Sequence, residues 1–188
     1  GVPKSEEDLM ITASNRWVLA FDNISYLPPW LADALCRLST GGGFSKRELY
    51  SDGAEYLIDV QRALVINGIE DFVTRQDLID RTVLIDLPPI PDNKRKLEKT
   101  FWKDFNEAHP RLFGSILDVI CGTLENLPNV NLYSLPRMAD FAKLITAAET
   151  PLQWENGSFL EAYNQNRTDA IKIGLESDPV AMALVKSA

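Results

Sequence analysis

Polar and apolar positions sort the chain into two regimes. Up to about residue 91, short unbroken apolar runs alternate with helix-like stretches; beyond it, apolar residues recur at helical spacing. Ser5-Glu6-Glu7-Asp8 reads as a capping box opening a short helix, with its carboxylates at the positive end of the helix dipole. Trp17-Val18-Leu19-Ala20-Phe21 then runs apolar and stops at Asp22-Asn23, the pattern of a parallel-sheet strand buried on both faces. Pro28-Pro29 starts a helix through about Leu38, with Trp30, Ala34, Leu35 and Leu38 on one face. Gly41-Gly42-Gly43 reads as a hinge. Phe44 to Tyr50 and Glu55 to Val60 flank Ser51-Asp52-Gly53-Ala54, a hairpin signal. Arg62 to Asn67 is a second buried strand with a polar end, and residues 75–81 make a short helical turn. Thr82 to Leu87 is a third apolar strand, closed by Pro88-Pro89.

From Asp92 the spacing predicts helices over 93–108, 111–126, 136–148 and 157–175, then a short tail helix from Asp178. His109-Pro110 separates the first two, because proline lacks the donor a helix interior needs. Leu112, Phe113, Ile116, Leu117, Ile120 and Leu124 form the predicted inner face of the second, and Met138, Phe141 and Ile145 that of the third. The proline-rich PPIPDN is the natural boundary between an α/β part, 1–91, and a helical part, 92–188.

Composition narrows the function classes. The chain is 45% hydrophobic and 24% charged over 188 residues, as in globular proteins, and no run of about 18 apolar residues predicts a membrane span. GVPKSEEDLM has no basic region followed by an apolar stretch, so it is not read as a signal peptide. Cys36 and Cys121 lie far apart in apolar, helix-like sequence and are expected to be buried, reduced thiols of a cytoplasmic protein. With one histidine, His109, a zinc site is not expected. The net charge of −8 opposes a broad basic face that would coat nucleic acid, but not a local basic loop.

The chemistry rests on two buried strands that each end in a polar residue, Asp22 and Asn67. In open α/β sheets, ligands bind at the carboxyl ends of strands. A carboxylate there can hold magnesium through its water shell, and a neighbouring amide can orient a water beside a terminal phosphate. Either strand end alone is equally well an ordinary turn. Taken in order, however, WVLAFDN, TGGGFSKRELYSDGAEYLIDV, RALVINGIED and RQDLIDRTVLIDLPPI resemble the superfamily-3-type helicases and related AAA+ primase-helicase ATPases of phages, plasmids and integrated mobile elements.

That resemblance implies the C-terminal half of a P-loop NTPase sheet with a β-hairpin, followed by a mostly helical region. It makes Asp22 the Walker B acid and magnesium ligand, and Asn67 the sensor. Arg81 becomes an arginine finger, with Arg75 the alternative finger and an ion pair to Asp77 or Asp80 the plainer role. The implied cofactors are ATP and Mg²⁺. The implied assembly is a homo-oligomeric ring working on DNA, with no membrane partner. In such rings the hairpin grips nucleic acid. Lys46 and Arg47 at its base match that role for single-stranded DNA, and Phe44 and Tyr50 could stack on bases or pack beneath the hairpin. The turn's Asp52 is a poor match. Arg137, opening the helix at 136–148, could reach the nucleotide as a second sensor. The basic run Asn93–Lys99 is read as a solvated helix face.

Two departures qualify the resemblance. Asn23 stands where a second acid normally polarises the attacking water, and an amide cannot accept the proton. No G-x-x-x-x-G-K-[ST] occurs; Gly41-Gly42-Gly43-Phe44-Ser45-Lys46 lacks its terminal residues and its strand–helix setting. The chain therefore reads as part of a DNA-dependent ATPase or helicase whose phosphate loop lies upstream, inactive alone. The alternatives are a degenerate ATPase acting as a scaffold and a non-catalytic helical interaction module.

Overall fold

The computed structural model describes residues 2–41, 44–47, 55–69, 73 and 75–176. The chain divides into two compact units. One holds Gly1–Thr82 with the described residues from Asp169 onward, and the other holds Val83–Thr168.

The first unit begins with α1, Glu6–Ser14, whose N-cap Ser5 accepts the Asp8 N–H at 3.2 Å as its sequence predicts. Strand β1, Val18–Phe21, leads to α2, Pro29–Thr40. Proline at the first helical position loses no needed donor, and Gly41 ends α2 in the left-handed region at φ 79°, which glycine enters without Cβ strain. Strands β2, Phe44–Arg47, and β3, Glu55–Ile58, pair antiparallel with Phe44 opposite Ile58. The turn predicted between them lies outside the described residues, as do Gly42, Gly43, Tyr50 and the tail from Asp178. Strand β4, Ala63–Ile66, pairs parallel with β1, setting Val18 opposite Ala63 and Phe21 opposite Ile66. Helix α3, Gln76–Ile79, closes the unit.

Its core is one cluster. Leu9, Met10 and Ala13 of α1, Leu19 and Phe21 of β1, and Leu31, Ala34, Leu35 and Leu38 of α2 are buried together, with Ile58 and Leu78. Arg62 ties the elements: its N–H donates to Leu38 O at 3.0 Å and its Nε to Ala13 O at 2.8 Å. Its guanidinium also lies 4.9 Å from the Trp17 ring centroid, a cation–π contact. The apolar runs predict strands buried on both faces, but only one face is covered. Leu19 and Phe21 point into the core while Val18 and Val65 remain exposed.

The second unit is helical. After a 3₁₀ turn at Asp92–Lys94 come α4, Glu98–Asn126, α5, Ala139–Ala148, and α6, Ser158–Glu176, which belongs to this unit as far as Thr168. The architecture is thus mixed α/β, a small open two-stranded parallel sheet followed by a mostly helical region.

Three expectations fail here. The predicted strand Thr82–Leu87 joins no sheet among the described residues; the Asn166 side-chain amide serves Leu84 instead, Oδ1 accepting its N–H at 2.9 Å and Nδ2 donating to its carbonyl at 2.6 Å. One amide satisfies the two groups a neighbouring strand would have satisfied. Second, Pro110 interrupts nothing, and α4 runs through it for 29 residues. Pro110 is exposed, so water can take over the carbonyl it leaves without a donor. Third, the predicted inner face of 111–126 faces outward, with Ile116 56% and Leu124 58% exposed. The end of α4 packs on α5, with Asn126 donating to the Ala147 carbonyl; Thr123 is buried there, and Gly122 lies so close to Pro151, just past α5, that an added Cβ would come within 2.9 Å of it.

Glu149 fixes the far end of this unit. It is 3% exposed, and its two carboxylate oxygens accept the N–H groups of Gly157 and Phe159, each at 2.9 Å, at the start of α6. A carboxylate on those unpaired donors also meets the positive end of the helix dipole. Phe141 of α5 packs edge-on against Phe159 of α6, with centroids 5.9 Å apart, and Tyr163 stacks beside it. Phe141 itself stays at the surface, at 36% exposure, while Met138 and Ile145 are half-buried.

Candidate functional site at the strand ends

The parallel pairing of β1 and β4 brings their carboxyl ends together, and backbone bonds continue the pairing one step further. Asn67 N–H donates to Phe21 O at 3.0 Å, and Ile24 N–H donates to Asn67 O at 2.9 Å. Between them the Asn23 N–H donates to Asn67 Oδ1 at 2.7 Å. Asn23 adopts φ 58°, a left-handed conformation that asparagine tolerates better than most residues. The turn after β1 is therefore clamped by the Asn67 side chain, with Asp22, Asn23 and Asn67 together at one solvent-exposed edge.

Asp22 and Asn67 each keep a chemical function free at that edge. The Asp22 carboxylate makes no hydrogen bond or ion pair to another described residue. With Oδ1 of Asn67 taken, its amino group remains as a donor. Among the described residues no group of three or more His, Cys, Asp or Glu is placed to hold a metal. One carboxylate is nevertheless what a Mg²⁺ ion arriving on a polyphosphate requires, since phosphate oxygens and water complete its shell. Asp22 is the carboxylate at this edge that could serve so.

The arginines lie elsewhere in the same unit. Arg75, at the N-cap of α3, pairs with Asp33 of α2 at 2.6 Å and with both carboxylate oxygens of Asp77 at 3.2 Å. This raises the Arg75 pKa through its hydrogen bond to Asp77. Burial works to raise the Asp77 carboxyl, but the Arg75 hydrogen bond and charge outweigh it and hold the group below its ordinary value. The Cys36 thiol contacts Asp77 Oδ2 at 3.7 Å, and burial first, then the Asp77 charge, pushes its pKa up. Arg81 is half-buried and folds back to donate from Nη1 to the Asp77 carbonyl, its buried Nε finding no acceptor among the described residues. Both arginines are thus engaged with α3.

The remaining candidates divide by location. Lys46 and Arg47 lie on β2, opposite Tyr56 and Glu55, with side chains outside the described residues. Arg137 is exposed just before α5, in the second unit. Cys121 is exposed, contrary to expectation, whereas Cys36 is buried. A groove of about 360 Å³ runs along β1, walled by Asp8, Thr12 and Arg16, and does not include the Asp22–Asn67 edge. Sequence reading missed the Arg75–Asp33–Asp77 cluster and the Asn67 clamp on Asn23. The acid-rich setting of Arg75 was a signal for the first; a contact across 44 residues left none for the second. No described helix is long and apolar enough to cross a membrane.

The family model described as actinomycete integrative conjugative element replication protein matches residues 1–170, and the chain belongs to that family. Neither a curated protein nor a solved structure matches it.

Proposed function

We propose that this replication protein contributes the acid-bearing and sensor-bearing strands of a P-loop-type ATPase core, of the superfamily-3 or AAA+ kind, acting on DNA during replication of the element. The observation that carries the reading is the parallel β1–β4 pair with Asp22, Asn23 and Asn67 at its carboxyl edge. The uncovered sheet face at Val18 and Val65 supports it. A two-stranded parallel sheet is marginal alone, and in α/β proteins helices pack over a face such as the one left exposed here.

In such a core Asp22 would hold the Mg²⁺ of ATP, which would supply charge neutralisation for phosphoryl transfer. Asn67 would orient a water through its free amino group. Asn23 can help position that water but takes no proton, so a base must come from elsewhere. Arg81, or Arg75, would serve a neighbouring subunit of a ring as the finger after release from α3. Arg137 would reach the nucleotide as a second sensor, and Lys46 and Arg47 would contact single-stranded DNA.

The test is ATP hydrolysis by the full-length product with and without single-stranded DNA. Asp22→Ala is expected to abolish hydrolysis, and Arg81→Ala to abolish it while nucleotide binding persists. Unchanged hydrolysis in the Arg81 variant moves the finger to Arg75, and unchanged hydrolysis in Asp22→Ala removes the reading. The second reading, a non-catalytic interaction module, is favoured by one observation, the exposed apolar length of α4.

A further inference from the structure

Helix α4 carries nine large apolar side chains that are each at least 38% exposed, from Phe101 to Leu124. With about half of each side chain free, and ~150–250 Å² per large side chain, the stripe offers roughly 800 Å². That exceeds the ~300–600 Å² patch of an ordinary monomer and equals the ~800 Å² each partner contributes to a standard interface. It is not loosely arranged, either. Phe105 stacks on Phe101 and meets His109 at a tilt of 59°, and His109 lies parallel to Phe113 with centroids 6.2 Å apart, so the aromatic rings run in contact along the helix.

The order of the stripe identifies its occupant. Phe101, Phe105, His109, Leu112, Ile116 and Ile120 follow one another at intervals of four, four, three, four and four. At about 100° of turn per residue these six fall within roughly 100° of arc, one helix face. The sequence of intervals reads the same in both directions about the midpoint between Pro110 and Arg111. A two-fold axis through that midpoint sets Phe101 against Ile120, Phe105 against Ile116 and His109 against Leu112, each pair made twice. Such reciprocity is what an isologous interface requires. Along that arc the free positions end at Ile120, since the next one, Thr123, is already buried in the unit's own packing.

The opposite arc disfavours other occupants. It carries Lys99, Lys103 and Arg111 against Asp104, Glu107, Asp118 and Glu125. An anionic lipid surface or a phosphate backbone calls for a cationic arc instead. We infer that α4 is a self-association helix, which pairs antiparallel with α4 of a second copy of this chain about the Pro110–Arg111 midpoint.

Sedimentation equilibrium of the full chain tests this. A concentration-dependent dimer is expected, and Ile116→Glu, an exposed position where a helix accepts glutamate, should shift it to monomer with unchanged far-UV circular dichroism. Register is read by disulfide trapping in chains whose Cys121 is replaced by serine. Phe105→Cys and Ile116→Cys chains mixed together should cross-link to each other in preference to themselves. Self-pairs sit 11 positions apart in the antiparallel register, about 16 Å at the helical rise. A monomer at every concentration, a dimer indifferent to Ile116→Glu, or monomers that co-sediment with anionic vesicles would each overturn the inference.

Discussion

Helices α2 and α4 carry the same kind of pattern and meet opposite fates. In α2, twelve residues long, Leu31, Ala34, Leu35 and Leu38 are all buried, wedged against α1, α3 and β4. In α4, 29 residues long, Thr123 alone is buried. An apolar stripe at helical spacing says that a face is to be covered; it does not say by what. Where the covering elements belong to the same unit, as those of Leu9 and Leu78 do for α2, the unit closes on itself. Where they do not, the stripe remains on the surface and becomes a statement about partners.

The sharpest way to break this comparison is to truncate one residue in each stripe. Leu35→Ala removes a side chain with 0% exposure, and a cavity in the packed core should cost the first unit about 2–5 kcal/mol. Ile116→Ala removes a side chain already more than half in water, and in dilute protein it should cost less than about 1 kcal/mol. Chemical denaturation followed by hydrogen exchange in each unit reads both. A comparable loss from the two substitutions would mean that α4 is covered within its own chain.

The next effect concerns what does hold the second unit together. Glu149→Ala leaves the Gly157 and Phe159 N–H groups without their carboxylate, and hydrogen bonds to a charged group are worth about 1.5–3 kcal/mol. Earlier amide exchange confined to the start of α6, with the first unit unchanged, is the expected outcome. Unchanged exchange at Gly157 and Phe159 would show that water replaces the carboxylate there without cost.

Much of the first unit was legible because its signals are local. Ser5 caps α1, Pro29 and Gly41 bound α2, and the apolar runs ending at Asp22 and near Asn67 are β1 and β4. The pair of polar strand ends followed from those runs, and so the candidate edge was visible. What was not visible depends on contacts across long separations. Asn166 takes the place of a strand beside Leu84 across 82 residues, which no property of TVLIDL announces. Pro110 reads as a helix break, yet the helical periodicity on either side of it is continuous, and that proved the stronger signal. The arginines were legible as residues but not as bonded groups, because their pairing with Asp33 and Asp77 is set by how α3 docks on α2.

That docking gives the smallest effect and marks the first unit off from the second. Asp77 is held below its ordinary pKa mainly by Arg75, so its unfolded value lies above its folded one. The sign follows: its contribution is fully present above pH ~4, the ordinary carboxylate value, and is lost as pH falls through the depressed folded pKa. Both partners are well exposed, with side-chain exposures of 41% and 43%, so solvent screening keeps the gain small. Asp77→Asn should therefore lower the stability of the first unit slightly at neutral pH. The gap between variant and parent should close on acidification below pH ~4, as the parent's carboxylate takes up its proton. Denaturant midpoints across that range, read from amides of α2 and α3, measure it. A gap that persists when the carboxylate is protonated would place the role of Asp77 in its contact with Cys36 and its packing rather than in its charge.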